Sequence, residues 1–328
     1  MGEESNQARE LDPRWVTEDL PTVSRRGLEA AVARTWPSLG KATIERLYSS
    51  GHDVVELLGS TGHYALKCYR PGVRSEERLQ WEVELHHHLF LHEAPVMPLV
   101  EGRSGYLETL QVDGQQRHAV LSHWAPGTKP RPSETTYHLL GRAAGLIHRA
   151  ADSFRSAHTP VRDLETELDA YLVLLRPALE AAGRLDRVSE LAERVRGRLS
   201  NPSLSRGICH NDLTLDNVHV DGEDLFVFDL DYAGEHWRAS EPQGVFHYAQ
   251  ITGRPWWDCW KAGYRTIQSF ADADERAVGW FVPLFQFENL AWKLGLTPTS
   301  VGVTMSPRGV PGIVDDWVRW VNTHCTAP

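Results

Sequence analysis

The sequence predicts an α+β protein of two lobes, a small β-rich lobe followed by a larger, mainly helical one. Short apolar strands at residues 54–58 and 64–69 dominate the first third, and longer segments with helical spacing follow them. The length of 328 residues and the hydrophobic content of 41% suffice for one large or two ordinary domains. Two lobes that flank one active site fit this size.

The most informative segment is HNDLTLDN at residues 210–217, followed by FDLD at residues 228–231. Between them, two short strands joined by turn residues predict a hairpin that returns Asp229 beside Asn217. Phosphoryl transfer to a hydroxyl needs a carboxylate that deprotonates the hydroxyl and hard oxygen ligands for magnesium. Asp212, Asn217 and Asp229 supply these oxygens, so the segment predicts a phosphoryl-transfer centre. Taken alone, such a motif is also typical of a solvated acidic loop.

The pattern His-x-Asp-x-x-x-x-Asn, then a hairpin, then an Asp that ends a strand, resembles the aminoglycoside phosphotransferase and choline kinase superfamily. The strings CHNDLTLDNV and FDLDYAG are particularly similar to that group. The resemblance covers about residues 40 to 296 and implies the two-lobed protein kinase-like fold. It also implies that Asp212 is the catalytic base, that His210 supports the loop by hydrogen bonding, and that Asn217 and Asp229 hold magnesium.

Lys67 lies in the middle of the alternating strand at residues 64–69. By the resemblance, this strand is the third of the amino-terminal lobe, and Lys67 contacts the α- and β-phosphates of the nucleotide. A carboxylate from the next helix, predicted at about residues 75–93, would position the lysine. We favour Glu82, and Glu84 stays open as the alternative partner. A lone strand lysine is otherwise typical of an exposed side chain.

The apolar segment at residues 119–124 runs into Ala-Pro-Gly and predicts a hinge. In the family such a strand presents backbone groups to adenine, so Ser122 and Trp124 are expected to contact the base through their backbones. An ordinary core strand that ends in a turn has the same pattern. The predicted units are a flexible tail at residues 1–20, an amino-terminal lobe at 21–121, the hinge at 122–127 and a carboxyl-terminal lobe at 128–328.

The sequence departs from the family pattern in two places. No GxGxxG loop precedes Lys67, because the corresponding turn at residues 49–53 holds one glycine. The Asp that usually braces the catalytic loop is absent, and Glu241 stands as its substitute. Every chemical ligand is nevertheless retained. We therefore favour an enzyme over a nucleotide-binding scaffold without turnover.

The acceptor site is expected in the carboxyl-terminal lobe. The resemblance implies walls from the aromatic-rich segment at residues 256–292 and from two helical stretches between residues 163 and 200, one interrupted at Pro177. Helically spaced aromatic residues are typical of a core, and the alternative is a cage for an apolar or quaternary-ammonium acceptor. The acceptor stays open between a hydroxyl of a small molecule, such as an antibiotic or metabolite, and Ser or Thr of a natural-product precursor peptide.

Composition and charge limit the classes of partner and the cellular location that we expect. The net charge of −10 disfavours nucleic acid and is compatible with a cationic acceptor. No apolar run approaches the roughly 20 residues that span a bilayer, and the charged amino terminus carries no secretion signal. We therefore expect a cytoplasmic protein, and the family resemblance implies that it uses Mg²⁺ and ATP, with GTP as the alternative donor.

Overall fold

The computed structural model describes residues 23–50, 52–297 and 305–325. The predicted tail at residues 1–20 and Gly51, the single glycine of the turn at residues 49–53, lie outside this range. The first described helix, α1 (Arg25–Thr35), begins after Ser24, whose hydroxyl accepts a hydrogen bond from the Gly27 amide. It packs on one face of the sheet of the amino-terminal lobe.

In the part of the chain that the structure describes, that sheet is antiparallel, with the strand order β1-β2-β3-β5-β4. Alternation along the third strand buries Tyr64, Leu66 and Cys68 against α1 and turns Lys67 to the opposite face. The strands are β1 (Thr43–Ser50), β2 (His52–Gly59), β3 (Gly62–Cys68), β4 (Leu107–Val112) and β5 (Gln115–His123).

Helix α2 (Glu76–Leu91) lies between β3 and β4 in the chain and agrees with the helix predicted there. It begins after Ser75, whose Oγ accepts a hydrogen bond from the Arg78 amide at 3.3 Å. Its buried positions include Trp81, Val83 and Leu85 together with the carboxylate of Glu82. The helix therefore carries a buried acid, and such a group requires a polar partner.

The linker after β5 is fastened to the carboxyl-terminal lobe. Thr128 and Val220 exchange backbone hydrogen bonds of 3.2 and 2.9 Å. Gly127 precedes them with φ of 78°, and a Cβ at this position would lie 2.1 Å from the Val220 carbonyl oxygen. Only glycine fits this approach without displacing the backbone.

The carboxyl-terminal lobe is mainly helical, as predicted, and its core joins the helices to two small strand pairs. Strand β6 pairs with β9, and β7 forms the predicted hairpin with β8. The helices are α3 (Glu134–Ala151), α4 (Ala170–Ala181), α5 (Leu185–Leu199), α6 (Gln243–Thr252), α7 (Trp256–Arg265), α8 (Asp272–Lys293) and α9 (Val310–His324). The strands are β6 (Arg206–Cys209), β7 (Val218–Asp221), β8 (Asp224–Val227) and β9 (Gly234–Trp237).

The predicted interruption at Pro177 is wrong, because α4 runs through this residue. Pro177 is exposed, and Val173, one turn earlier, is 73% exposed. The carbonyl that loses its partner to proline can therefore bond water, so the helix continues. Among the described residues, no helix combines the length and apolar character needed to cross a bilayer. The residue boundaries of the two lobes and the hinge stay a prediction.

Candidate active site

Lys67 lies at the centre of a cluster of carboxylates between the lobes. Its Nζ is 3.4 Å from Glu82 Oε1 and 2.9 Å from Asp229 Oδ1, and it also bonds Asp231. Burial alone would lower the pKa of Lys67, but these carboxylates outweigh it and raise that pKa well above its ordinary value. Lys67 therefore stays charged, which its predicted contact with the nucleotide phosphates requires.

Glu82 is buried and faces Lys67, whereas Glu84 is exposed and accepts a hydrogen bond from Gln80 at 3.0 Å. The Tyr69 hydroxyl donates to the same Glu82 oxygen at 2.8 Å. Helix geometry explains the difference, since positions two residues apart lie on opposite sides of a helix. The structure thus brings Glu82, and not Glu84, to the lysine, and the role of Glu82 in catalysis stays a prediction.

The loop after β6 positions Asp212 through its backbone and its neighbours. The Asp212 amide donates to His210 Nδ1 at 3.3 Å, and His210 Nε2 donates to the Phe228 carbonyl at 3.1 Å. Asn217 Nδ2 donates to both the carbonyl and the Oδ2 of Asp212, each at 2.8 Å. Buried His210 therefore ties this loop to the segment before Asp229.

The Asp212 carboxylate has the electrostatics of a proton acceptor. Burial raises its pKa to about 6, against the opposing effects of His210 and the Asn217 amide. A carboxylate with this pKa is ionised at neutral pH and holds a proton more strongly than an exposed aspartate does. This pKa suits a general base near neutral pH.

Asn217 and Asp229 lie side by side because the Phe228 amide donates to the Asn217 carbonyl at 3.1 Å across the end of the hairpin. Asp229 has φ of 67°, a left-handed conformation that aspartate tolerates better than most residues, and its side chain is 42% exposed. Asn217 turns its Nδ2 to Asp212, which leaves its Oδ1 for another partner. Two hard oxygen donors on adjacent backbone fit a Mg²⁺ ion.

Glu241 supports the loop after β6 through hydrogen bonds to its backbone. Its carboxylate accepts hydrogen bonds from the His210 amide at 2.7 Å and the Asn211 amide at 3.0 Å. Buried His148 also donates to it at 3.2 Å and bonds the Tyr264 hydroxyl at 2.9 Å. Burial alone would raise the pKa of Glu241, but the bonds from His148 and the His210 amide lower it. The carboxylate therefore stays charged and supports Asn211, whose φ is 65°.

The predicted hinge residues lie at the end of β5. Ser122 pairs with Ala65 in the sheet, and the Trp124 amide donates to the His63 carbonyl at 2.9 Å. The Trp124 ring stacks on the His63 ring with centroids 4.7 Å apart. The Trp124 donor is thus already paired, and a contact with adenine through it stays a prediction that requires His63 to release this bond.

Asp231 is the main site residue that the sequence reasoning missed. Besides Lys67, it bonds His52 Nε2 at 3.2 Å and lies 4.0 Å from Arg74 Nε. Burial alone would raise the pKa of Asp231, but Lys67, His52 and Arg74 hold it far below its usual range. The second Asp of FDLD was the available signal, because residues two apart after a strand end point to the same side.

Two cavities flank Asp212, and both are also lined by Asn211 and Phe285. The larger has a volume of about 560 Å³ and the smaller about 260 Å³. Thr166, Glu167 and Tyr171, between residues 163 and 200, line the larger cavity, and its role as the acceptor site stays a prediction. It also holds an ion cluster, in which Arg162 bonds Glu167 at 2.8 and 2.7 Å and Glu288 at 2.7 Å.

Most of the aromatic segment is core and does not form a cage. The buried members are Trp257, Trp260, Tyr264, Phe270, Trp280, Phe281 and Phe287. Only some of the aromatic residues reach the larger cavity, where Phe285 and Trp292 line the wall. The helical spacing thus serves mainly packing between α6, α7 and α8, and an aromatic contact with the acceptor at Phe285 and Trp292 stays a prediction.

This fold is that of a phosphotransferase of the kinase-like class. The sequence matches the phosphotransferase enzyme family, APH, over residues 43–277, and the chain belongs to that family. The membership confirms both the resemblance carried by the HNDLTLDN and FDLD segments and the prediction of a phosphotransferase enzyme.

Three similar proteins illustrate the family and its fold. An uncharacterized protein of Deinococcus radiodurans is 30% identical over 243 residues, which cover 70% of each chain. An amicoumacin kinase solved with AMP-PNP and Ca²⁺ superposes with a TM-score of 0.69 at 18% identity, over 92% of this chain and 94% of that one. A microcompartment-associated aminopropanol kinase has a TM-score of 0.62 at 21% identity, over 85% and 90% of the two chains. At these identities the two structures support the shared fold alone.

Proposed function

We propose that this enzyme transfers the γ-phosphoryl group of ATP to a hydroxyl of a small molecule in the cytoplasm. The observation that carries the proposal is the convergence of a charged lysine, a carboxylate of raised pKa and two hard oxygen donors in one cleft. Lys67 and Asp229 are 2.9 Å apart, and Asn217 bonds Asp212 at 2.8 Å. These groups are the parts that phosphoryl transfer requires.

The proposed roles follow from the contacts. Lys67, held by Glu82, would bind the nucleotide phosphates. Asp212 Oδ2 is already bonded to Asn217 Nδ2, so its other oxygen would orient the acceptor hydroxyl and take its proton. Asn217 and Asp229 would hold Mg²⁺, which when bound screens the charge on the phosphates. His210 would keep Asp212 in register with Asp229 through its bond to the Phe228 carbonyl.

A small acceptor is favoured by the shape of the site. The cavity of about 560 Å³ beside Asp212 lies within the range of roughly 300–1,000 Å³ that is usual for small-molecule pockets. The names of the amicoumacin kinase and the aminopropanol kinase point to small acceptors for those proteins. A precursor peptide would instead need an open groove, and it serves here as an outcome of the test.

Nucleotide binding is the first test. Calorimetric titration with ATP and with GTP, each with and without Mg²⁺, should show magnesium-dependent binding, with ATP preferred. Lys67→Ala and Glu82→Ala should both weaken it, and Glu84→Ala is the matched control because Glu84 is exposed on the same helix. Wild-type protein that binds neither nucleotide at millimolar concentration would contradict the proposed function.

Turnover is the second test. Product formation should be followed on a panel of hydroxyl compounds and of Ser- and Thr-containing peptides, with Asp212→Ala and Asp229→Ala compared. Loss of Asp229 should reduce both affinity for the nucleotide with Mg²⁺ and turnover, whereas loss of Asp212 should abolish turnover and leave binding intact. Phosphorylation of peptides alone would replace the small-molecule proposal with the peptide one. Near-native turnover in Asp212→Ala would refute the assignment of the base.

A further inference from the structure

Arg74 lines the larger cavity and makes no close hydrogen bond to a carboxylate among the described residues. Its side chain is 17% exposed, and its ion pair with Asp231 is a long one, at 4.0 Å from Nε to Oδ1. Its buried Nε has no acceptor, since the nearest carboxylate, that of Asp231, is 4.0 Å away. A guanidinium with free donors is matched in geometry to carboxylate and phosphate groups.

The neighbouring carboxylates do not hydrogen bond Arg74, because they bond other cations. Asp231 bonds Lys67 through Oδ1 and His52 through Oδ2. Glu167 and Glu288, which also line the cavity, both bond Arg162. The positive charge of Arg74 therefore has no hydrogen-bonded anion among the described residues.

Arg78, in the first turn of α2, adds a second cation to the same wall. Its Nη2 donates to the carbonyls of Asp231 and Ala233 at 2.9 and 2.8 Å, and its guanidinium stacks 4.5 Å from the Trp81 ring. Its buried Nη1 has no acceptor among the described residues. Burial lowers the pKa of Arg78 to about 10. These contacts are to neutral groups, so Arg78 adds positive charge and holds the cavity wall in place.

We propose that Arg74, supported by the field of Arg78, forms an anion-binding subsite for the acceptor, which carries a carboxylate or a phosphate besides its hydroxyl. The inference rests on the proposed function, because it places the anion in the cavity that Asp212 lines. The inference selects an anionic acceptor, which the net charge of −10 by itself does not suggest. Selection of an anionic acceptor depends on the charges that line the cavity, where Arg74 and Arg78 lie, and not on the net charge of the whole protein.

The test must separate an acceptor anion from the nucleotide phosphates. Wild type and Arg74→Gln are saturated with Mg²⁺ and AMP-PNP, so that the nucleotide phosphate site is filled, and are then titrated with malonate and with inorganic phosphate. Arg74→Lys tests charge without the guanidinium, and Arg149→Gln is the control, because Arg149 is exposed on α3 and does not line this cavity. Turnover is compared on hydroxycarboxylates, their primary amides and hydroxyl-bearing phosphate monoesters.

An acceptor subsite predicts that Arg74→Gln weakens anion binding to the nucleotide-loaded protein by about tenfold or more, the usual effect of losing a charged hydrogen bond. AMP-PNP affinity should not change, and the KM for the charged acceptor should rise towards that of its amide. Preference for carboxylates over phosphate monoesters, or the reverse, identifies the anion. If Arg74→Gln lowers AMP-PNP affinity, or the loaded wild type binds neither probe and does not prefer charged acceptors, the inference is wrong. Failure of wild type to bind AMP-PNP would instead overturn the proposed function.

Discussion

Replacement of Asp212 by Asn should abolish turnover and at the same time stabilise the folded protein at neutral pH. Asparagine has nearly the same shape, and its carbonyl oxygen can accept the hydrogen bond that Asn217 Nδ2 donates to Asp212 at 2.8 Å. The substitution therefore removes the negative charge and leaves the local packing in place. What changes is the cost of keeping a carboxylate ionised in a partly buried site.

The size of the expected stabilisation follows from the pKa of Asp212. Burial raises the pKa of Asp212 from an ordinary 3.8 to about 6, and each tenfold change in proton affinity is worth about 1.4 kcal/mol. The full difference is roughly 3 kcal/mol, and water access to the partly exposed side chain reduces it to about 1–3 kcal/mol. Because the folded state binds the proton more tightly, wild-type stability falls as pH rises from about 4 to 6. The destabilisation by ionised Asp212 is absent below about pH 4 and complete above about pH 6.

The assay is urea unfolding of wild type and Asp212→Asn at a series of pH values from 4 to 8, without nucleotide or Mg²⁺. The two stabilities should coincide near pH 4 and separate through pH 6, with the variant more stable at pH 7 to 8. In the same pH range, wild-type kcat/KM should rise as Asp212 loses its proton. A variant that is less stable at pH 7, or a difference that does not depend on pH, would refute this account of the site.

Three further substitutions test the other supports of the site. Lys67→Ala should lower the melting temperature more at pH 8 than at pH 5. Without Lys67, its carboxylate partners repel one another, and protonation at low pH reduces this repulsion. Lys41→Ala, at an exposed position, is the control. Glu241→Gln should cost about 3 kcal/mol or more in urea unfolding, since a donor would then face buried donors of the catalytic loop. Gly127→Ala should cost about 1 kcal/mol or more, owing to its positive φ and the clash at the Val220 carbonyl.

Each of these substitutions has an outcome that would contradict its reasoning. A Lys67→Ala protein that is equally destabilised at both pH values would show that repulsion is not the cause. Wild-type stability in Glu241→Gln would mean that the loop amides find other acceptors. An unchanged urea midpoint for Gly127→Ala would show that the linker can move away from Val220.

The sequence by itself determined the features that depend on a few neighbouring residues. Alternation along β3 predicted that Lys67 leaves the buried face, and the turn at residues 221–224 predicted the hairpin that brings Asn217 beside Asp229. Local patterns likewise predicted the helix at about residues 75–93, and the family resemblance implied the helical lobe after the sheet. These inferences succeed because strand alternation, helix periodicity and turn chemistry are local properties of the backbone.

Only the tertiary structure decided which distant groups meet and how much water they keep. The bond from Lys67 to Asp231 spans 164 positions of the chain, and Glu241 reaches the catalytic loop from 31 residues away. The unpaired Nε of Arg74 has no sequence signature, since the nearby carboxylate of Asp231 is bonded to Lys67 and His52. Such pairings, and the burial that raises the pKa of Asp212, depend on how the lobes pack against each other, which no local pattern encodes.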